Sequence, residues 1–406
     1  MQASTLREDL IVIRIGQREI DAVARVINSG ALFRYSWDSD SVPETEQFEA
    51  EWAAKIGSEH VLATTSGTGA LICACAGLGI GPGDEVIVPA YTFIASAIAP
   101  LMCGAIPVLA DVNESLTLDP ADLERHITPH TKAILPVHMQ GLPCDMDGIM
   151  AVARKHNLVV IEDACQADAG SFKGRRLGTI GDMGCFSFNY FKIITCGEGG
   201  AVVTNDYAAY SRARMMQDGG IAFWPAKDKA DIPNFIGLEF RFNNILAAIL
   251  REQIQQVDDW LASGRAIKRR LTDGLAGVVG VAPSNDLDGD CGIAFPFNLP
   301  TEAETLRVQA ALGACGVNAW RPYDTDRHVY SNWEPILEHR AWHCDAMNPF
   351  KHPANQDCQI HYTKDQMPRT LDILKRTLII SLTPFLTDAQ VDAMIDGVRA
   401  AMLEKV

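Results

Sequence analysis

Between Val61 and Thr204, short apolar runs alternate with segments whose apolar residues return every three to four positions. Val61–Thr64, Glu85–Pro89, Pro107–Ala110, Ala133–Val137, Leu158–Glu162, Cys185–Phe188 and Ala201–Thr204 read as strands. Ala70–Leu78, Thr92–Leu101, Pro120–His126 and Asp145–His156 read as the helices between them. This alternation predicts an α/β domain with a mainly parallel sheet. Ligands of such sheets collect at the carboxyl ends of the strands. Ser66, Thr68, His138, Asp163 and Gln166 all fall just after strand ends.

The flanks differ in character. Gln17–Asn28 reads as a helix on the recurrence of Ile20, Val23 and Val26–Ile27, closing at Ser29-Gly30. Leu32–Val42 reads as irregular, and Pro43–Ile56 as a second helix, with Phe48, Trp52 and Ile56 at four-residue steps. Asn205–Gly219 is helical, Ile221–Asp231 a polar, aromatic loop, and Asn243–Leu261 one long helix. Beyond it, Ile293–Leu299 and Ile379–Ser381 read as strands, and Glu302–Cys315 and Asp388–Met402 as helices. Tyr323–Lys364 is long and irregular, a size of loop that is usually functional or mobile. The expected division is a large α/β domain over 1–260 and a smaller α+β C-terminal domain over 261–406.

Composition narrows the setting. A chain of 406 residues, 48% hydrophobic and 21% charged, is long enough for two domains and a large core. A net charge of −16 argues against a nucleic-acid or anionic-membrane partner. The start, MQASTLREDL, lacks a cationic segment followed by an apolar one, so no signal peptide is expected, and no apolar run is long enough to span a bilayer. The 11 cysteines form no CxxC pair and read as reduced, mostly buried thiols, and the expected location is cytoplasmic. The ten histidines form no HExxH or His/Cys cluster, so no metal is expected.

Three stretches carry candidate chemistry. Cys185–Gly200, CFSFNYFKIITCGEGG, sets Lys192 among Phe186, Phe188, Phe191, Ile193 and Ile194, before a glycine-rich turn. Lys192 is either a surface lysine beside a hairpin or a partly desolvated amine able to form a Schiff base with an aldehyde cofactor. Thr65–Leu71 joins a strand to a helix N-terminus, either an ordinary N-cap or an anion site built from amides and hydroxyls. Leu158–Ala167 delivers the carboxylate of Asp163 at a strand end, as a helix cap or as the partner of a protonated heterocyclic nitrogen. Together these pieces fit pyridoxal 5'-phosphate, which needs a lysine, a ring-nitrogen carboxylate, phosphate donors and an aromatic over its ring. Lys192, Asp163, Ser66–Thr68 with Ser187, and Phe93 are the candidates.

TSGTGAL, PAYTFIASA, PVHMQG, EDACQADAG and SFNYFKIITCGEGGAVVTND, in that order, resemble the DegT/DnrJ/EryC1/StrS aminotransferases, often called sugar aminotransferases. The resemblance implies fold type I of the pyridoxal-phosphate enzymes and a homodimer with active sites at the subunit interface. It places the Schiff-base lysine on Lys192, the ring-nitrogen carboxylate on Asp163, and the motif glutamine, near the cofactor's phenolic oxygen, on Gln166. The phosphate contacts fall on Gly67, Thr68 and Ser187, and the stacking aromatic on Phe93. Two positions depart from the family pattern. Asn189 stands where a histidine is common, and Glu239 where an asparagine commonly reaches the partner's phosphate, with Arg241 nearby to neutralise it.

The implied reaction moves an amino group from glutamate or glutamine to a keto or aldehydo sugar, with Lys192 the candidate proton carrier and Asp163 keeping the ring nitrogen protonated. Nucleotide-linked 4-keto or 3-keto sugars are candidate acceptors. Arg321–Phe350 also resembles enzymes that aminate C8 of a 3-deoxyoctulosonate. There, Arg321, Arg327, His328 and Trp333, with His138, are candidate substrate contacts, or else the segment's aromatics simply pack on the core. Sugar dehydratases of the family carry histidine at the lysine position, so Lys192 favours transamination. A catalytically silent cofactor-binding regulator is the alternative from another class, and neither Lys192 nor Asp163 is replaced as it would require.

Overall fold

The computed structural model describes residues 15–36, 41–220 and 232–403. The loop expected at Ile221–Asp231 and part of Leu32–Val42 lie outside the described residues.

Helices α1 (Gln17–Ser29) and α2 (Glu44–Ile56) precede the alternating region. That region runs β1 (His60–Thr64), α3 (Gly67–Gly77), β2 (Glu85–Pro89), α4 (Ala95–Met102), β3 (Ile106–Ala110), α5 (Pro120–Leu123) and β4 (Thr131–Ile134). It continues with α6 (Met146–His156), β5 (Val159–Asp163), the small hairpin β6 (Ser171–Phe172) and β7 (Arg175–Arg176), then β8 (Met183–Ser187), β9 (Gly200–Thr204) and α7 (Tyr207–Gln217). Seven of these strands form one sheet in the order β1-β9-β8-β5-β4-β2-β3. Only β9 runs antiparallel to its neighbours, so this is a mainly parallel mixed sheet, as the alternation of strands and helices predicts.

Side-chain alternation along each strand splits the interior in two. Leu62, Val86, Val88, Ile161, Cys185 and Val202 enter one core. Their chain neighbours Val61, Ala63, Ile87, Val160, Phe186 and Val203 enter the other. Both faces are therefore dry, which is why the strands read as unbroken apolar runs. Trp52 and Phe48 of α2 fill the second core, with Trp52 edge-on to Phe186 at 5.2 Å between centroids. On α1 the buried residues are Glu19, Ala22 and Val26, whereas Ile20 and Ile27 are exposed.

The long helix expected from Asn243 is two, α8 (Asn244–Ile254) and α9 (Val257–Gly274), and α9 runs unbroken across the 260/261 boundary. A second, four-stranded sheet follows, in the order β10 (Gly280–Val281), β11 (Ala294–Asn298), β13 (Thr377–Ser381), β12 (Ala319–Trp320). With α10 (Glu302–Ala314) and the closing helix Asp388–Leu403 it encloses its own core. Between β12 and β13 come short turns, α11 (Glu334–Leu337) and α12 (Pro368–Lys375), which makes the closing helix α13. This long segment does not join the small sheet. Tyr330, Trp333, Phe350, Tyr362 and Leu374 sink into the first core beside Leu109 and Val112. Among the described residues, no helix is long and apolar enough to cross a membrane.

Candidate active site

Strand ends β1, β2, β5 and β8 converge on a cavity of about 610 Å³. Each delivers a polar group there, because parallel strands all present their carboxyl ends on one side. After β1, Ser66 caps α3, its Oγ accepting the Gly69 amide at 3.0 Å. The N-cap reading therefore holds for the Ser66 side chain. Gly67 and Thr68 stay available at the helix start, where first-turn amides have no intrahelical partner. Gly67 is buried against the end of β8, and a Cβ there would sit 2.8 Å from both Ser187 Cβ and Cys165 Sγ. The helix start can approach Ser187 only because residue 67 has no side chain.

Asp163 ends β5 with 4% of its surface exposed. Its Oδ2 accepts from Ser96 Oγ at 2.7 Å, and its Oδ1 from the Cys165 amide at 3.1 Å. Ser96 in turn shares a 2.7 Å hydrogen bond with Thr92 Oγ1. Each carboxylate oxygen keeps further acceptor capacity, and the residue lines the cavity. Gln166 is anchored through its Oε1, which accepts the Gln140 amide at 3.0 Å. This leaves its NH2 to donate.

Lys192 lies in the turn after β8, its amide donating to Asn189 O at 2.9 Å. It is half-buried and lines the same cavity as Asp163. Its Nζ makes no hydrogen bond or ion pair with the described residues. Asn189 closes the turn locally, donating to Glu198 Oε1 at 3.1 Å and accepting the Phe191 amide at 3.1 Å.

Phe93 precedes α4 rather than lying within it. The Thr92 and Ile94 amides donate to the carbonyls of His328 and Arg327 at 3.0 and 2.9 Å. This pairing brings Arg327 and His328 to the cavity, with the His328 and Phe93 rings 5.4 Å apart. Burial, aided by the Lys192 charge, lowers the His328 pKa to about 4, so its ring is neutral near pH 7.

Three expected substrate contacts belong elsewhere. His138 is fully buried, its Nε2 donating to Glu162 Oε2 at 3.0 Å and its Nδ1 accepting the Cys144 amide at 3.1 Å. Both ring nitrogens are used inside the core. Arg321 is held by Asp324 and Glu302 at 2.7 Å each, beneath Tyr323. Trp333 is a core residue, 1% exposed, with Nε1 donating to Arg327 O. Glu239 does not line this cavity either. Its carboxylate is 57% exposed and pairs with Arg241 Nε at 3.0 Å, and Arg241 also binds Asp218.

Sequence reasoning missed Ser96, a lone serine in an alanine-rich helix that carries no motif. It also missed an adjoining cavity of about 490 Å³, which shares Gln140, Phe191, Lys192, Ile193 and Ile293 with the first. Trp260, Asn318, Thr383 and Phe385 close it from α9 and the small sheet's side, and Lys192 is its single charged lining residue among the described residues.

The site fits pyridoxal phosphate on its own chemistry. A carboxylate with capacity to spare, an unpartnered amine, an exposed phenylalanine and a hydroxyl-lined helix start with a glycine cradle share one cavity.

Comparison with known proteins agrees. Residues 14–399 match the DegT/DnrJ/EryC1/StrS aminotransferase family. GDP-perosamine synthase of Caulobacter vibrioides is 46% identical over 53% of this chain, an alignment spanning 58% of that protein. The UDP-N-acetyl-3-dehydro-α-D-glucosamine 3-aminotransferase of Acidithiobacillus ferrooxidans is 45% identical over 81% of this chain and 87% of its own. Among solved structures, S. venezuelae DesV, in complex with a ketimine intermediate, superposes with a TM-score of 0.77 at 32% identity, covering 96% of this chain and 95% of its own.

Proposed function

Because this chain belongs to the DegT/DnrJ/EryC1/StrS aminotransferase family, we propose that it is a pyridoxal-phosphate-dependent transaminase that moves an amino group from glutamate or glutamine to a keto or aldehydo sugar. The observation that carries this reading is that Lys192 and Asp163 line one cavity with Gly67, Thr68 and Ser187. When bound, pyridoxal phosphate supplies the electron sink that lets a Cα–H bond of the donor break.

The protein's part is binding, orientation and proton movement. Gly67, Thr68 and Ser187 bind the phosphate, and Phe93 covers the ring. Asp163, oriented by Ser96, holds the proton on the ring nitrogen. Gln166 donates to the phenolic oxygen. The Lys192 Nζ would be the attachment point and, once released, would take the proton from the Cα of the donor in one half-reaction and deliver one to the carbonyl carbon of the acceptor in the other.

The adjoining cavity supports an acceptor with an uncharged body, since aromatic faces and neutral polar groups line it, with Lys192 its single charge among the described residues. Arg327 supports a second reading. It lines the cavity and has no ion pair among the described residues, so it suits a carboxylate, whether the donor's or that of an octulosonate-type sugar acid. Exposed Phe33, Ile236 and Leu238 suit the expected homodimer, with Glu239 and Arg241 facing the partner. The free cysteines suit the reducing cytoplasm.

The test is spectroscopic. The loaded protein absorbs in the visible, glutamate or glutamine bleaches the band, and the true acceptor restores it. Nucleotide-linked 4-keto and 3-keto sugars and the C8 aldehyde of a 3-deoxyoctulosonate are the acceptors to compare. A band that no amino donor bleaches favours the silent regulator. Survival of covalent cofactor attachment in Lys192→Ala, read by borohydride reduction and mass spectrometry, would overturn the assignment of Lys192.

A further inference from the structure

We propose that Gln140 is a specificity-determining residue for the carbonyl acceptor, its carboxamide reading a hydroxyl on the carbon next to the reacting carbonyl. The inference rests on the transaminase reading above and deepens it. Gln140 lines both the cavity that holds Asp163 and Gly67 and the adjoining cavity closed by Trp260 and Phe385, and Lys192 lines both as well. The reacting carbon of an acceptor comes to Lys192, so it sits where the two cavities meet, and its neighbouring carbons pass the Gln140 wall. A carboxamide both donates and accepts, as a hydroxyl does, and so suits that contact.

The turn that carries Gln140 is held in an uncommon conformation. Gln140 stands at φ 56° and ψ 28°, in the left-handed region that few residues other than glycine adopt. Such a conformation persists only where the surroundings fix it, and it concentrates at ligand sites. Here the fixing groups are visible. The Gln140 amide donates to Gln166 Oε1 at 3.0 Å. His138, just upstream, is tied by its two ring nitrogens to Glu162 and the Cys144 amide. The carbonyl of Gly141, next in the chain, accepts the Cys291 amide at 3.0 Å, and a Cβ at Gly141 would lie 2.7 Å from the Cys291 Cβ. The backbone is thus held at His138, Gln140 and Gly141, and none of these contacts uses the Gln140 side chain. Its carboxamide approaches the buried Tyr91 hydroxyl, which completes no hydrogen bond. One N–H turned to Tyr91 leaves a second N–H and the carbonyl oxygen for an acceptor.

The experiment uses the full chain loaded with pyridoxal phosphate. A keto sugar has no amine to give this form, so it binds without turnover and calorimetry reads its Kd. The probes are a nucleotide-linked 4-keto-6-deoxyhexose, a nucleotide-linked 3-keto hexose and the C8 aldehyde of a 3-deoxyoctulosonate, each beside its analogue lacking the hydroxyl next to the carbonyl. For the probe that restores the bleached band, the wild type should bind the hydroxylated member about tenfold more tightly, and kcat/KM should follow. Gln140→Met, close in shape but without the carboxamide, should bring that ratio to within about twofold by weakening the hydroxylated member alone. Gln140→Asn, whose carboxamide ends a methylene short, should also lose most of the preference, and the ratio is read in whichever variant shows wild-type circular dichroism. A folded variant that keeps the wild-type ratio, or a wild type with no preference, overturns the proposal. A wild type in which no probe restores the band overturns the sugar-acceptor reading instead, so the two readings fail separately.

Discussion

Ser96 Oγ donates to Asp163 Oδ2 at 2.7 Å, from the first turn of α4 to the end of β5. The bond is buried and charge-assisted, and Thr92 supports it from behind. It sets the plane in which the carboxylate would meet a ring nitrogen. Ser96→Ala should weaken cofactor retention and slow turnover by about tenfold, the worth of one hydrogen bond to a charged group. Dialysis followed by visible absorbance measures the first effect, and steady-state kinetics the second.

Gly67 packs directly against the end of β8. In Gly67→Ala the new methyl would meet Ser187 and Cys165 at 2.8 Å, so the helix start must move away from β8. The expected result is cofactor affinity down by tenfold or more and stability down by about 1–3 kcal/mol. Titration with pyridoxal phosphate and thermal unfolding of the cofactor-free chain separate the two.

The burial of His138 predicts a stability role and no specificity role. His138→Ala strips a partner from Glu162, which also accepts the Gly178, Ile180 and Gly181 amides inside the core. Stability should fall by about 2–4 kcal/mol, while KM for the acceptor in the folded fraction stays near the wild-type value. Denaturant unfolding and acceptor kinetics together check this.

His328 gives a pH signature. Its folded pKa of about 4 lies below the ordinary 6.5, so the unfolded chain binds the extra proton first. The stability it confers is complete above pH 6.5 and is lost as pH falls toward 4. His328→Gln removes that loss and should move the acid-unfolding midpoint down by about half a pH unit. Fluorescence-monitored acid titration of both proteins reads the difference.

Much of the site was legible because its signals are local in the chain. Each motif couples a strand end to the turn after it, so Asp163, Ser187 and Lys192 need only their own strand to reach the cavity rim. Trp333 and Arg321 had no such constraint. Indole and guanidinium groups suit a substrate and a core or an ion pair equally well, and short-range pattern does not separate those uses. Nor did the recurrence of Ile20, Val23 and Val26–Ile27 show that α1 turns Ile20 and Ile27 outward, since periodicity marks a face without saying what covers it.

By itself, then, the order of residues determined the parallel α/β architecture, the family, and the amine and acid expected to grip the cofactor, because strand alternation and strand-end turns are properties of neighbouring residues. Only the tertiary structure decided which polar groups face the cavity. His138 turns to Glu162, Ser96 to Asp163, and Arg327 is brought to the cavity by backbone pairing with Ile94 across more than two hundred residues. A buried polar side chain takes whatever partner the fold brings within hydrogen-bond distance, and that partner can come from anywhere in the chain.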